Sequence, residues 1–102
     1  MTEFTRRVLK TIRSIPPGRV CTYGGVASLA GNPRAARQVV RILHSMSRAH
    51  RLPWHRVINA RGRIAIRTEE GFMLQQSLLR EEGVAVGEDG KVDLKKYLWN
   101  GT

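Results

Sequence analysis

Apolar residues near the start of the chain recur at helical spacing. Phe4, Val8, Ile12 and Ile15 fall in register, with Arg6, Arg7, Lys10 and Arg13 between them. The pattern predicts an amphipathic helix over 2–14, stopped by Pro16-Pro17-Gly18. Arg19-Val20-Cys21 reads as a short extended segment. Thr22 is placed to cap a second helix over 23–30, which Gly31-Asn32 would close through a left-handed turn. Pro33 stands at the favoured first position of a third helix, predicted over 33–47. Its apolar positions are Ala36, Val39, Val40, Leu43 and Met46. Arg34, Arg37, Arg41, His44 and Arg48 form a second stripe on another face.

Two short helices joined by a glycine-containing turn, the second striped with arginine, predict a helix-turn-helix. An ordinary antiparallel helix pair with a solvated charged face fits the same pattern. Downstream, 49–53 reads as a polar loop and Val57-Ile58 as a short apolar stretch. Asn59-Ala60-Arg61-Gly62 is a turn, and Ile64-Ala65-Ile66 reads as a short strand. Phe72, Leu74, Gln75, Leu78, Leu79 and Glu82 suggest a helix over 71–82, ended by Gly83. Val84-Ala85-Val86 and Val92-Asp93-Leu94 flank a Gly/Asp-rich turn. Tyr97-Leu98-Trp99 is expected to pack the C-terminus back onto the core. The expected fold is mainly α with short β elements, in a single domain over 1–102.

Charge changes this picture from a fold to a function class. The net charge is +10, and it is unevenly spread. Residues 1–67 hold 14 of the 18 Lys and Arg and one acid, Glu3, for +13; residues 68–102 hold four bases and seven acids, for −3. Such asymmetry suits a polyanion. Arginine outnumbers lysine fourteen to four, which favours planar contacts to phosphates and bases. There is no apolar run long enough for a membrane span and no apolar region of a secretory signal. A cytoplasmic location is expected, at the nucleoid when bound to DNA, or a nuclear one in a eukaryote. The single cysteine, Cys21, excludes an internal disulfide and a cysteine-based metal site. No metal or cofactor is expected.

Five blocks now coincide: Ile15-Pro16-Pro17-Gly18-Arg19-Val20, Thr22-Tyr23-Gly24, Gly31-Asn32-Pro33-Arg34-Ala35-Ala36-Arg37, Pro53-Trp54-His55-Arg56-Val57-Ile58 and Leu78-Leu79-Arg80-Glu81-Glu82-Gly83. In this order and spacing the chain resembles the C-terminal, winged-helix-like DNA-binding domain of the O6-alkylguanine-DNA alkyltransferases. It most resembles their alkyltransferase-like relatives, which carry tryptophan where the enzymes carry cysteine. The resemblance covers about residues 4–86.

The enzymes read Pro-Cys-His-Arg-Val, so the resemblance puts Trp54 at the alkyl-accepting position. It implies that His55 and Glu82 match the pair that activates the thiol. It implies that Arg37 enters the base stack, that Tyr23 helps rotate the nucleotide out, and that Ala35 and Ala36 let the helix approach the minor groove. Arg67 matches the region of a lesion-sensing basic residue. Independently of the resemblance, alkyl transfer from guanine O6 needs a strong nucleophile, and an indole N–H is a donor only. Trp54 instead offers an apolar face for a base or alkyl group. Arg34, Arg41 and the helix N-terminus suit phosphates. Thr22 joins these as a DNA-side residue. Some stretches depart from the enzymes: Gln38-Val39-Val40 stands where a glycine is usual, and Met46-Ser47-Arg48-Ala49-His50 lacks the usual Asn-Pro.

The expectation is a non-enzymatic monomeric sensor of O6-alkylguanine in double-stranded DNA. The resemblance implies that its partners are nucleotide excision repair damage-recognition proteins. Three alternatives stand beside it: alkyl transfer through Cys21, a helix-turn-helix transcription factor, and an architectural DNA binder without lesion preference.

Overall fold

The computed structural model describes residues 1–102. In chain order it forms α1 (Glu3–Ser14), β1 (Cys21–Thr22), α2 (Tyr23–Leu29), α3 (Ala36–His50), β2 (Val57–Ile58), α4 (Glu69–Glu81) and the single turn α5 (Leu94–Tyr97). A 3-10 turn at Trp54–Arg56 precedes β2. The expected mainly helical fold with short β elements is therefore what the chain forms.

The helix caps follow local chemistry. The Thr2 hydroxyl accepts from the Thr5 N–H at 3.1 Å, and the Thr22 hydroxyl accepts from Gly25 N–H at 2.9 Å. Each satisfies one of the N–H groups that a helix start leaves without a partner. α1 buries Val8, Leu9 and Ile12 and leaves its arginines in solvent.

β1 and β2 pair in parallel, with Cys21 opposite Val57 and Thr22 opposite Ile58. Successive side chains on a strand point to opposite faces, and here each face meets its own core. Cys21 and Val57 join a cluster with Val8, Ile12, Val26, Val39 and Ile42, which binds α1, α2 and α3 together. Val20 and Ile58 join Leu79, Val84, Val86, Val92 and Tyr97. The small sheet is thus the wall between the helix-turn-helix and the C-terminal half. The tail extends that wall: Val20 N–H donates to Tyr97 O at 3.0 Å and Trp99 N–H to Val20 O at 2.8 Å. The expected return of Tyr97-Leu98-Trp99 to the core is realised by these bonds.

A wing follows β2. Val86 faces Val92 and Arg63 faces Lys91 in antiparallel bridges. Gly62 is required at its base. Its φ is +78°, and a Cβ there would sit 2.8 Å from Val92 O.

Five readings of the pattern need correction. Pro33 does not open α3, which begins at Ala36. The Asn32 side chain accepts from Arg34 N–H at 3.1 Å and its carbonyl from Ala35 N–H at 3.1 Å, so a turn holds these residues first. α3 also runs beyond Ser47 to His50, where Arg51 ends it in the left-handed region at φ 50° as Leu52 turns into the core. Val40 is exposed, and Ile42 takes the buried position beside Val39. Ile64-Ala65-Ile66 forms no strand: Ile64 N–H bonds to Gly90 O, and the chain then runs irregularly to Thr68. That threonine starts α4 earlier than expected, its hydroxyl accepting from Gly71 N–H at 3.2 Å. Glu69 and Glu70 in the first turn suit the positive end of the helix dipole.

Candidate nucleic-acid interface and pocket

α3 presents Arg37, Arg41, His44 and Arg48 on its exposed face, and Arg34 is exposed in the turn before it. None of these arginines has an ion-pair partner, because the acids of the molecule lie elsewhere. Glu3, the one acid before residue 68, is occupied on α1 with Arg6 and Arg7. The cationic face of α3 is therefore neutralised by nothing within the chain. Its N-terminus also carries no side-chain cap at Ala35, so first-turn N–H groups remain free for phosphate oxygens. Of the two alanines there, Ala35 packs into the first core cluster, while Ala36 keeps part of its surface in solvent.

A polar clasp is centred on Glu82. Its carboxylate accepts from Arg56 Nη2 at 2.7 Å, from Arg56 Nε at 3.0 and 3.2 Å, and from His55 Nε2 at 2.8 Å. Gly18 N–H adds a bond of 3.2 Å. Arg56 Nη1 meanwhile donates to Ile15 O at 2.9 Å. One carboxylate and one guanidinium thereby tie the end of α4, the turn after α1 and the 3-10 turn together. Charge-assisted, bidentate bonds of this kind are the strong ones.

Gln75 completes the clasp. It is buried, and its amide donates to His55 O at 3.0 Å and Val57 O at 3.1 Å. Sequence reasoning placed Gln75 on the packed stripe of α4 but gave it no role. The signal was a polar residue one helical turn before the buried Leu79, on the face that should be apolar.

Burial pushes the Glu82 carboxyl up, but the bonds from Arg56, His55 and Gly18 outweigh it and hold the group at about 2, against an ordinary 4.5. A carboxyl held low in the folded state contributes stability that is fully present above pH 4.5 and is lost as pH falls through about 2. The shift corresponds to about 3 kcal/mol. Urea titrations at a series of pH values are therefore expected to show the advantage of the native protein over Glu82→Gln shrinking below pH 4.5. A gap that stays constant down to the lowest pH at which both fold would contradict this.

Trp54 is half-buried at the start of the 3-10 turn, and its ring meets that of His55 edge-on, with centroids 6.1 Å apart. His55, which would polarise a thiol in the resembled enzymes, thus abuts an indole. Tyr23 begins α2 and packs against the first cluster. The β1–β2 register fixes that helix start against the segment that carries Trp54. Arg67 is exposed just before α4, with no hydrogen bond or ion pair to Trp54, His55 or Tyr23. Of the four residues expected to form a pocket, Trp54, His55 and Tyr23 are therefore held by the paired β1–β2 segments, and Arg67 stands apart.

Cys21, the one thiol of the chain, is not placed to act as a nucleophile. It is 1% exposed in the core, and burial pushes its thiol up more than the Thr22 backbone bond lowers it. A buried, protonated thiol is inert toward DNA.

Known proteins place this arrangement. Residues 3–84 match the 6-O-methylguanine DNA methyltransferase, DNA binding domain. A DNA base-flipping protein of Escherichia coli K12 is 46% identical over 98 residues, which covers 96% of this chain and 75% of that protein. Atl1 of S. pombe, crystallised in complex with damaged DNA containing O6-carboxymethylguanine, is similar at a TM-score of 0.86 and 38% identity, over 97% of this chain and 96% of that one. The O6-methylguanine methyltransferase of Mycobacterium tuberculosis is similar at a TM-score of 0.66 and 30% identity, over 93% of this chain but 55% of that one. The chain belongs to the family of the 6-O-methylguanine DNA methyltransferase DNA-binding domain.

Proposed function

We propose that this protein binds O6-alkylguanine in duplex DNA, flips the nucleotide out of the stack, and holds the base without accepting its alkyl group. The observation that carries this reading is the junction at Trp54. The His55–Arg56–Glu82 clasp is intact and its histidine meets the Trp54 indole edge-on, at the position where the resembled enzymes carry a thiol. The clasp keeps its geometry while the chemistry it would serve has no nucleophile.

The residues take the following roles. Trp54, His55, Arg67 and Tyr23 line the pocket, with Trp54 as its apolar wall and Arg67 able to lie over the flipped base. Arg37, on the first turn of α3, fills the gap left in the stack. Arg34 and Arg41 hold phosphates with the free N–H groups of α3. Ala36 keeps the outer side of the helix start small enough for close approach to the minor groove, and Ala35 supports it from the core side. Thr22 fixes the start of α2 beside the backbone. Flipping costs a few kcal/mol of unstacking, least for a base whose pairing is already damaged, and that difference favours the lesion.

A held but unrepaired lesion has to be removed by other proteins. The proposed recipients are the damage-recognition proteins of nucleotide excision repair, met by a monomer at the nucleoid or in the nucleus. No cofactor enters this scheme. Incubation with duplex carrying tritiated O6-methylguanine is expected to retain the DNA in a complex with all label on the DNA. Label transferred to the protein would overturn the proposal.

A further inference from the structure

One cavity of the molecule lies away from the helix-turn-helix. It is about 650 Å³ and is lined by Arg61 and by residues between Ala85 and Lys95. All but Arg61 fall after residue 84, where the family match ends. Val86 and Val92 belong to the second core cluster, and Leu94 packs against it, whereas α3 packs into the first. The cavity is thus built on the other side of the sheet wall from the packed face of α3.

Its chemistry is specific. The apolar lining is aliphatic, with Val86 and Val92 buried beneath it and Ala85 and Leu94 reaching the surface. The rim carries Arg61, Lys91 and Lys95, all exposed and none in an ion pair. The one acid on the lining, Asp93, is engaged, its carboxylate accepting from Lys95 N–H at 3.0 Å. A DNA backbone would satisfy the cations but leave the aliphatic lining uncovered. A protein segment with acidic flanks and an aliphatic centre would satisfy both.

We infer that this cavity is a docking site for an acidic, leucine-centred segment of a partner protein, and that it remains open while α3 is on DNA. The inference rests on the reading that the bound lesion is handed to another protein. It names the surface and the chemistry of that handover.

The probe is a fluorescent peptide with glutamates flanking a Leu-Leu pair, followed by anisotropy against the full chain. Measurements are made alone and with saturating O6-methylguanine duplex. The peptide is expected to bind in both conditions. Lys91→Glu combined with Lys95→Glu is expected to weaken it by about tenfold or more, while lesion-duplex affinity changes by less than about twofold. Replacing the Leu-Leu pair by serines is expected to weaken it as well.

Displacement of the peptide by duplex, together with weaker DNA binding by the double variant, would overturn the inference and assign the rim to DNA. Equal binding by the native and reversed proteins, or no binding, would also overturn it. The DNA-free arm does not depend on lesion recognition, so failure of the docking site and failure of the lesion reading are separable.

Discussion

Arg37→Ala is expected to lose most of the preference for O6-alkylguanine over guanine, by about 10- to 100-fold, with little change in stability. The size follows from stacking, which is worth about 1–3 kcal/mol per base contact. Arg37 is exposed and makes no internal hydrogen bond or ion pair, so its removal leaves the fold without a loss to repair. If it fills the gap in the stack, the flipped state loses its plug while the unflipped complex loses one phosphate-range charge. The lesion preference should therefore fall further than the affinity for plain duplex. Arg41→Ala gives the contrast. Its effect is expected to be near uniform across lesion and guanine duplexes and to lower the salt slope by about one. Equal losses on both duplexes for Arg37→Ala would sink its assignment as the plug.

Glu82→Ala is expected to have the largest effect on stability, about 3–5 kcal/mol, the usual cost of removing one partner from a buried ion pair. Glu82 receives Arg56, His55 and Gly18 N–H together. Its loss leaves a guanidinium with a side-chain exposure of 14% and no counter-charge. The whole stability of a domain of this kind is about 5–15 kcal/mol. A fall in Tm of more than about 10 °C is therefore expected. The clasp joins the turn after α1 to the segment carrying Trp54, so tryptophan fluorescence should also shift in whatever remains folded. Arg56→Met with Glu82→Leu is expected to recover part of the loss, because removing both charges ends the desolvation cost. A Glu82→Ala protein as stable as the native one would show that the clasp contributes nothing.

Much of the fold was legible because its signals are local. Thr22 caps α2 by reaching three residues ahead, and the stripe of Val8 and Ile12 marks the face of α1 that is buried. The third helix was misjudged at its start because two local rules competed. Proline favours the first helical turn, but Asn32 captured the next two N–H groups in a turn of its own. The strand expected at Ile64-Ala65-Ile66 had the right composition but no partner edge, since Arg63 alone bridges to Lys91.

The candidate site divides along the same line. Trp54, His55 and Glu82 were marked by the resemblance, and the structure brings His55 and Glu82 into contact. The bidentate hold of Arg56 and the double donation of Gln75 join residues about twenty or more positions apart. No periodicity records such pairings. The docking cavity was equally illegible, since Arg61 and Lys95 meet only because the wing folds back on the C-terminal turn.

In the proposed function the pocket beside Trp54 distinguishes an alkylated guanine and holds it. A titration of O6-methylguanine duplex against the matched guanine duplex at physiological salt tests this most directly. Binding is expected to be at least about tenfold tighter to the lesion, the equivalent of about 1.4 kcal/mol in favour of the flipped damaged base. Equal affinity for the two duplexes would contradict it and leave a helix-turn-helix protein that binds DNA without regard to damage.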